Sequence, residues 1–174
     1  MRNSCGLTIY TLNSSLIMKT TELSSNQLIE NWVLDVLSKP NSKFADMPPC
    51  PFARKAWAEG KVVIKKFVSF NQVKEDIKFV KDRVMIFTFG ENCLPSCKDL
   101  AILAKDFNLQ FPDLVFYDEH PDTIEEVGGV KLNSGMCALI VQNRKDILEK
   151  RAELQKTGYY DNWKPEMKER IFGS

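Results

Sequence analysis

Histidine is the scarcest chemically useful residue of this chain. His120 is the only one, which excludes a metal site built on two histidines of one copy and leaves a single imidazole for acid–base work. Charge of one sign is not in excess: 24 basic and 23 acidic residues leave a formal net charge of +1. A polyanionic partner such as nucleic acid therefore has no electrostatic footprint to read. No apolar run is long enough to span a bilayer, so no membrane segment is expected. Cysteine occurs five times, an odd number with no repeating framework. That excludes a disulfide scaffold and reads as reduced thiols in a cytoplasmic protein.

What is present is an ordinary globular composition over 174 residues, enough to bury a core without staples. Residues 1–23 read as an extension. Asn13, Ser14 and Ser15 interrupt its apolar stretch, and Met18 is followed by a polar lead-in and a capped helix, so protein starting at Met18 is expected to fold equally well. Residues 24–174 read as one α/β domain.

The domain opens with a capping box, Ser24-Ser25-Asn26-Gln27, ahead of Leu28, Ile29, Trp32, Val33, Val36 and Leu37 on one helical face. Pro40 stops that helix. A short helix is expected over Pro51–Glu59, with Gly60 as its left-handed closing residue. Strands follow at Lys61–Phe70, Val84–Phe89, Leu114–Tyr117 and Cys137–Val141, with helices marked by Val73, Ile77 and Val80, by the stretch through Asn108, and by Lys145–Lys156. Gly128-Gly129 turns the chain, and Asn162–Phe172 reads as a short C-terminal helix. Crossover helices make the first three strands parallel, while the last, lacking a helical lead-in, is free to run antiparallel. The predicted fold is a mixed four-stranded sheet flanked by helices.

Cys50 is the first chemical candidate. In Pro49-Cys50-Pro51-Phe52-Ala53-Arg54, Pro51 suits the first helical position, which would put Cys50 on the N-cap, where free amides and the helix dipole favour a thiolate. Arg54 would add positive charge one turn on. The alternative is a small half-apolar residue packed under the first helix. Cys93 and Cys97 stand about one helical turn apart after the second strand, placed to pair, to share a metal ion, or simply to pack. His120 leaves the carboxyl end of a strand, the edge where α/β sheets form ligand crevices, and could couple to a thiol or be a plain loop residue beside Asp118, Glu119 and Asp122. Lys65, Lys66, Lys74, Lys78, Lys81 and Arg83 read as a solvated basic face.

The element order resembles the thioredoxin-like fold, with Phe89-Gly90-Glu91-Asn92-Cys93-Leu94-Pro95-Ser96-Cys97 where that fold carries its cysteine pair. Here three residues separate the cysteines rather than two, and the proline expected before the late strand is absent from Ser134-Gly135-Met136-Cys137. A second resemblance spans Trp32–Arg144. Cys50-Pro51-Phe52-Ala53, Gly60-Lys61-Val62, the strand ending near Phe89, Glu119-His120-Pro121-Asp122 and Asn143-Arg144 are similar to an uncharacterised bacterial family with a Cys-Pro-Phe-Ala motif, which implies a shared fold and no stated activity.

Two functional expectations result. The first is thiol chemistry, redox or nucleophilic, carried by Cys50 or by Cys93 and Cys97, with His120 as base and Arg54 as charge partner. The second is a noncatalytic module holding a protein or small molecule at the sheet-edge crevice or through Tyr159-Tyr160-Asp161-Asn162-Trp163. The residues name no cofactor and no complete metal-ligand set.

Overall fold

The computed structural model describes residues 24–90, 94–123, 126, 127, 130–161, 163, 165, 168 and 169. The 1–23 extension, Cys93, the Gly128-Gly129 turn and most of the expected C-terminal helix lie outside them.

Helix α1 (Ser25–Asn31) begins with the expected capping box, in which the Ser24 hydroxyl accepts from the Gln27 amide and the Gln27 side chain accepts from the Ser24 amide. It continues as a wider π-type turn over Trp32–Leu37. Helix α2 (Ala53–Ala58) is shorter than expected and closes on Gly60 at φ 65°. Strand β1 (Val62–Lys66) pairs in parallel with β2 (Val84–Thr88). Between them lies α3 (Phe70–Asp76), started by the Ser69 hydroxyl, which accepts from Gln72; this cap shortens the expected strand at Lys66. Helix α4 (Cys97–Gln110) leads to β3 (Leu114–Glu119). A small antiparallel pair, β4 (Glu126–Val127) and β5 (Val130–Lys131), precedes β6 (Ala138–Asn143) and α5 (Arg144–Gln155), whose start is capped by Asn143.

The sheet order is β1-β2-β6-β3, with β6 antiparallel to both neighbours. The first three strands therefore share one direction and the last opposes them, as expected. Insertion of β6 between β2 and β3 is the new element, and it puts the Ala138–Val141 run on the central axis, buried on both faces. Alternate residues divide the core. Met85, Phe87, Leu139, Val141 and Phe116 meet α3 and α4 through Val73, Ile77, Ala104 and Phe107. On the other face Ile86, Ala138 and Ile140 meet Ile29, Val33, Ala53 and Trp57.

Edge strand β3 has backbone groups facing away from β6. The Asn108 side chain occupies them: its amide nitrogen donates to the Phe116 carbonyl at 2.9 Å and its oxygen accepts from the Phe116 amide at 3.0 Å. One side-chain amide thus imitates the peptide of a missing neighbour strand and blocks edge pairing. A third cluster joins distant parts of the chain. Phe44, Tyr159, Tyr160 and Trp163 pack together, with Phe44 fully buried and Tyr159 2% exposed. Tyr159, Tyr160 and Trp163 therefore pack with Phe44 as cover for the core, the alternative to a partner anchor that closely spaced aromatics leave open.

Two expected outcomes test this packing. Asn108→Leu should cost about 1–3 kcal/mol, because it orphans two backbone groups of β3, measurable by urea denaturation. Deleting everything after Gly158 should lower the melting temperature sharply; an unchanged melt would show that the aromatic cluster does not stabilise the domain.

Candidate functional site

A cavity of about 580 Å³ lies between the second face of the sheet and its covers. Val62, Val84, Ile86 and Ile140 form its floor, the α1 end and the α2 entry one wall, and Ile147, Lys150, Arg151 and Leu154 of α5 the other, with Tyr159, Tyr160 and Trp163 at one end. The sequence places the crevice at the carboxyl ends of the strands. That edge does carry a depression, of about 420 Å³, lined by Phe67, Val68, Phe70, Phe89, Leu94 and Leu103, but the larger space lies on the face.

Cys50 belongs to this larger cavity. Its amide donates to the Leu37 carbonyl at 2.9 Å and its carbonyl accepts from Ala53 at 3.1 Å, so Pro51 and Phe52 occupy a turn ahead of the helix. The N-cap is Phe52, not Cys50, which corrects the predicted placement. The reason is local: two prolines around Cys50 supply no amides, and the chain is fixed instead by Leu37 and by the Tyr159 hydroxyl, which donates to the Pro49 carbonyl. The thiol still receives the amides of Phe52 and Ala53, which pull its pKa down, and Lys150 acts in the same sense. Burial is the largest influence, acts against them, and leaves the pKa raised. The thiolate expected at Cys50 is thus disfavoured at neutral pH. Arg54 is exposed and does not figure among the charges acting on the thiol; the cation that does is Lys150, 100 residues further along the chain.

Lys150 is half-buried and sits 5.5 Å from the Phe52 ring centroid. Beside it Arg151 donates to the Tyr117 hydroxyl at 3.3 Å. Burial raises the pKa of Tyr117, Tyr159 and Tyr160, so all three phenols stay protonated. These α5 residues escaped the sequence reading because a Lys-Arg pair on a polar helix looks like a solvated face; only the approach of α5 to Phe52 and Tyr117 distinguishes it.

Cys97 is the first residue of α4, behind the Ser96 cap, and its Sγ lies 3.0 Å from Thr123 Oγ1. The thiol nearest to it among the described residues is unexpected. Cys137, just before β6, is buried, and desolvation together with the nearby Cys97 raises its pKa to about 11. His120 is buried too, and its ring is committed to the backbone: Nδ1 accepts from the Asp122 amide at 3.1 Å, which leaves the proton on Nε2 to donate to the Pro95 carbonyl at 3.2 Å. It pins the loop after β3 to the loop before α4. Asn133 ties the same loop by donating to the carbonyls of His120 and Thr123. Among the described residues no thiol bonds the imidazole, so Cys50, Cys97 and Cys137 form no couple with it; Cys93 lies outside those residues. Among the described residues no cluster of three or more His, Cys, Asp or Glu side chains is placed to hold a metal ion. Nor is any described helix long and apolar enough to cross a membrane.

The structure thus separates the sequence candidates. Cys50 stands in the cavity, Cys97 and His120 brace the loops at the carboxyl edge of the sheet, and Arg54 stands outside both. No family model matches the chain, and no curated protein or solved structure is significantly similar to it.

The thiols can be ranked by experiment. Alkylation with iodoacetamide at neutral pH should be slower at Cys50 and Cys137 than for N-acetylcysteine, because a raised pKa leaves less thiolate. The Cys137 rate should climb only as pH nears about 11. A Cys50 rate above that of the free thiol, read by mass spectrometry, would mean that Lys150 and the two amides outweigh burial.

Proposed function

We propose that this chain is a binding protein for a small amphipathic molecule, held between the sheet and α5. The carrying observation is the cavity of about 580 Å³, which falls within the roughly 300–1,000 Å³ typical of small-molecule sites. Its lining supports the same reading. Trp32, Phe52, Tyr117, Tyr159 and Tyr160 present flat apolar surface, while Cys50, Asp118, Glu119, Gln142, Lys150 and Arg151 supply polar groups. Such a division, apolar body against a small set of oriented polar atoms, gives both affinity and orientation. The Tyr117 phenol, which accepts from Arg151, keeps its proton at neutral pH and so can donate to a ligand acceptor.

A second reading has its own support. The amides of Phe52 and Ala53 and the Lys150 ammonium all favour a sulfur anion at Cys50, the arrangement a nucleophilic thiol uses. Burial opposes it, so thiol chemistry ranks behind binding, and the thioredoxin-like likeness adds element order without a cysteine pair at the cavity.

The neutral fluorophore N-phenylnaphthylamine should bind with one-to-one stoichiometry. Ala56 lines the cavity, and Ala56→Trp should fill it and weaken binding about tenfold or more. Val68→Glu, in the separate edge depression, should leave binding unchanged. A wild-type chain that does not bind, or equal binding by Ala56→Trp, would sink the proposal; loss on Val68→Glu instead would move the site to the edge.

A further inference from the structure

We infer that the ligand is an organic anion, an aromatic carboxylate whose charged group meets Lys150 and whose ring lies among the aromatic walls. The inference rests on the cavity reading above and adds the chemical class of its occupant.

Lys150 carries the argument. Its side chain is half-buried at the cavity wall, yet among the described residues it forms no salt bridge; its neighbours there are the Phe52 ring, 5.5 Å away, and the Cys50 thiol. The other lysines in ion pairs behave differently. Lys39, Lys55, Lys78 and Lys145 each reach a carboxylate three or four residues away, and Lys65 reaches the buried Asp76. Lys145 and Lys150 even share one helix, and the exposed one is paired while the half-buried one meets no carboxylate among the described residues. The half-buried ammonium thus meets an aromatic face and a neutral thiol but no carboxylate among the described residues. An anion entering the cavity would give it a counter-charge.

A second feature points the same way. Trp163 lines the cavity, and its Nε1 is buried with no acceptor among the described residues. A buried donor left unpaired is uncommon in folded proteins. The same cavity therefore offers a cation and an indole N–H, and an anionic ligand with acceptor oxygens suits both kinds of group. Arg151, the other cation lining the cavity, donates to the Tyr117 phenol, and the Glu119 carboxylate there accepts from the Ser134 amide, so Lys150 is the charge assigned to the ligand. The ring class follows from the walls: Trp32, Phe52 and Tyr160 favour offset or edge contacts with another aromatic face.

The experiment compares naphthoate with naphthalenemethanol, which has the same ring system and no charge, by titration calorimetry at low salt. Wild-type protein should prefer naphthoate by about tenfold or more, the scale of a charge-assisted hydrogen bond. Lys150→Met should erase that preference by weakening naphthoate alone, and Lys150→Arg should keep it. Binding of both compounds with equal affinity, or a preference that survives Lys150→Met, would overturn the anion assignment while leaving the cavity reading intact. If neither compound binds wild-type protein and N-phenylnaphthylamine also fails, the cavity reading falls and this inference with it. Decanoate binding better than naphthoate would overturn the aromatic class.

Discussion

The hydroxyl of Tyr159 holds the carbonyl of Pro49, and the cavity depends on that clamp. Pro48, Pro49 and Pro51 deprive the chain around Cys50 of amide donors, so no strand ladder or helix can hold it from within. It is held from outside, by Leu37 at its amide and by Tyr159 at its carbonyl. Tyr159 is in turn fixed by Phe44 and Trp163, and Trp32 donates to the Leu132 carbonyl at 2.7 Å across the same region. The first and last thirds of the domain are thus sewn together by aromatic side chains rather than by sheet hydrogen bonds. The space left between that seam and the sheet is the site.

The same constraint explains why Cys50 is a weaker acid than its sequence context implies. An N-cap thiol on an exposed helix would feel the amides with water still around it. Here Cys50 lines a cavity beside Tyr117, Tyr159 and Tyr160, and desolvation of the anion outweighs two amides and a lysine. What remains useful is the geometry that failed to make a thiolate. The Lys150 ammonium at the wall of this largely apolar space could meet a bound anion as well as a sulfur anion, and a ligand would bring its charge without ionising the thiol.

The fold was legible where local chemistry decides it. Ser24 and Gln27 form the capping box that their spacing predicts, Gly60 takes the left-handed closing conformation, and the Val84–Phe89 and Cys137–Val141 runs become the doubly covered strands that continuous apolar residues call for. Long-range choices were not legible. Nothing local says that β6 inserts between β2 and β3, because strands buried on both faces carry the same apolar signal wherever they sit in the sheet. The site was legible in part: Cys50 was found from its prolines, whereas Lys150 and Arg151 were hidden on a helix whose sequence looks uniformly polar, and Tyr159 and Tyr160 were seen as an aromatic segment without their role inside the domain. His120, the residue most tempting to read as a catalyst, is occupied at both ring nitrogens by backbone groups.

That occupation connects stability to function. The loop after β3 has to turn away from the sheet without a ladder to guide it. His120, Asn133 and the Glu119 carboxylate, which accepts from the Ser134 amide at 2.8 Å, supply the missing partners one by one. Glu119 and Thr123, at the two ends of that turn, also line the cavity. The polar network at the strand ends therefore sets the shape of the far wall, and the aromatic seam sets the near one. Between them Lys150 stands on α5, attached to neither network. Its neighbours there are the Phe52 ring and the Cys50 thiol, so the ammonium links α5 to the turn ahead of α2, and under the proposed anion reading the same walls would set the distance between a ligand's charged group and its ring.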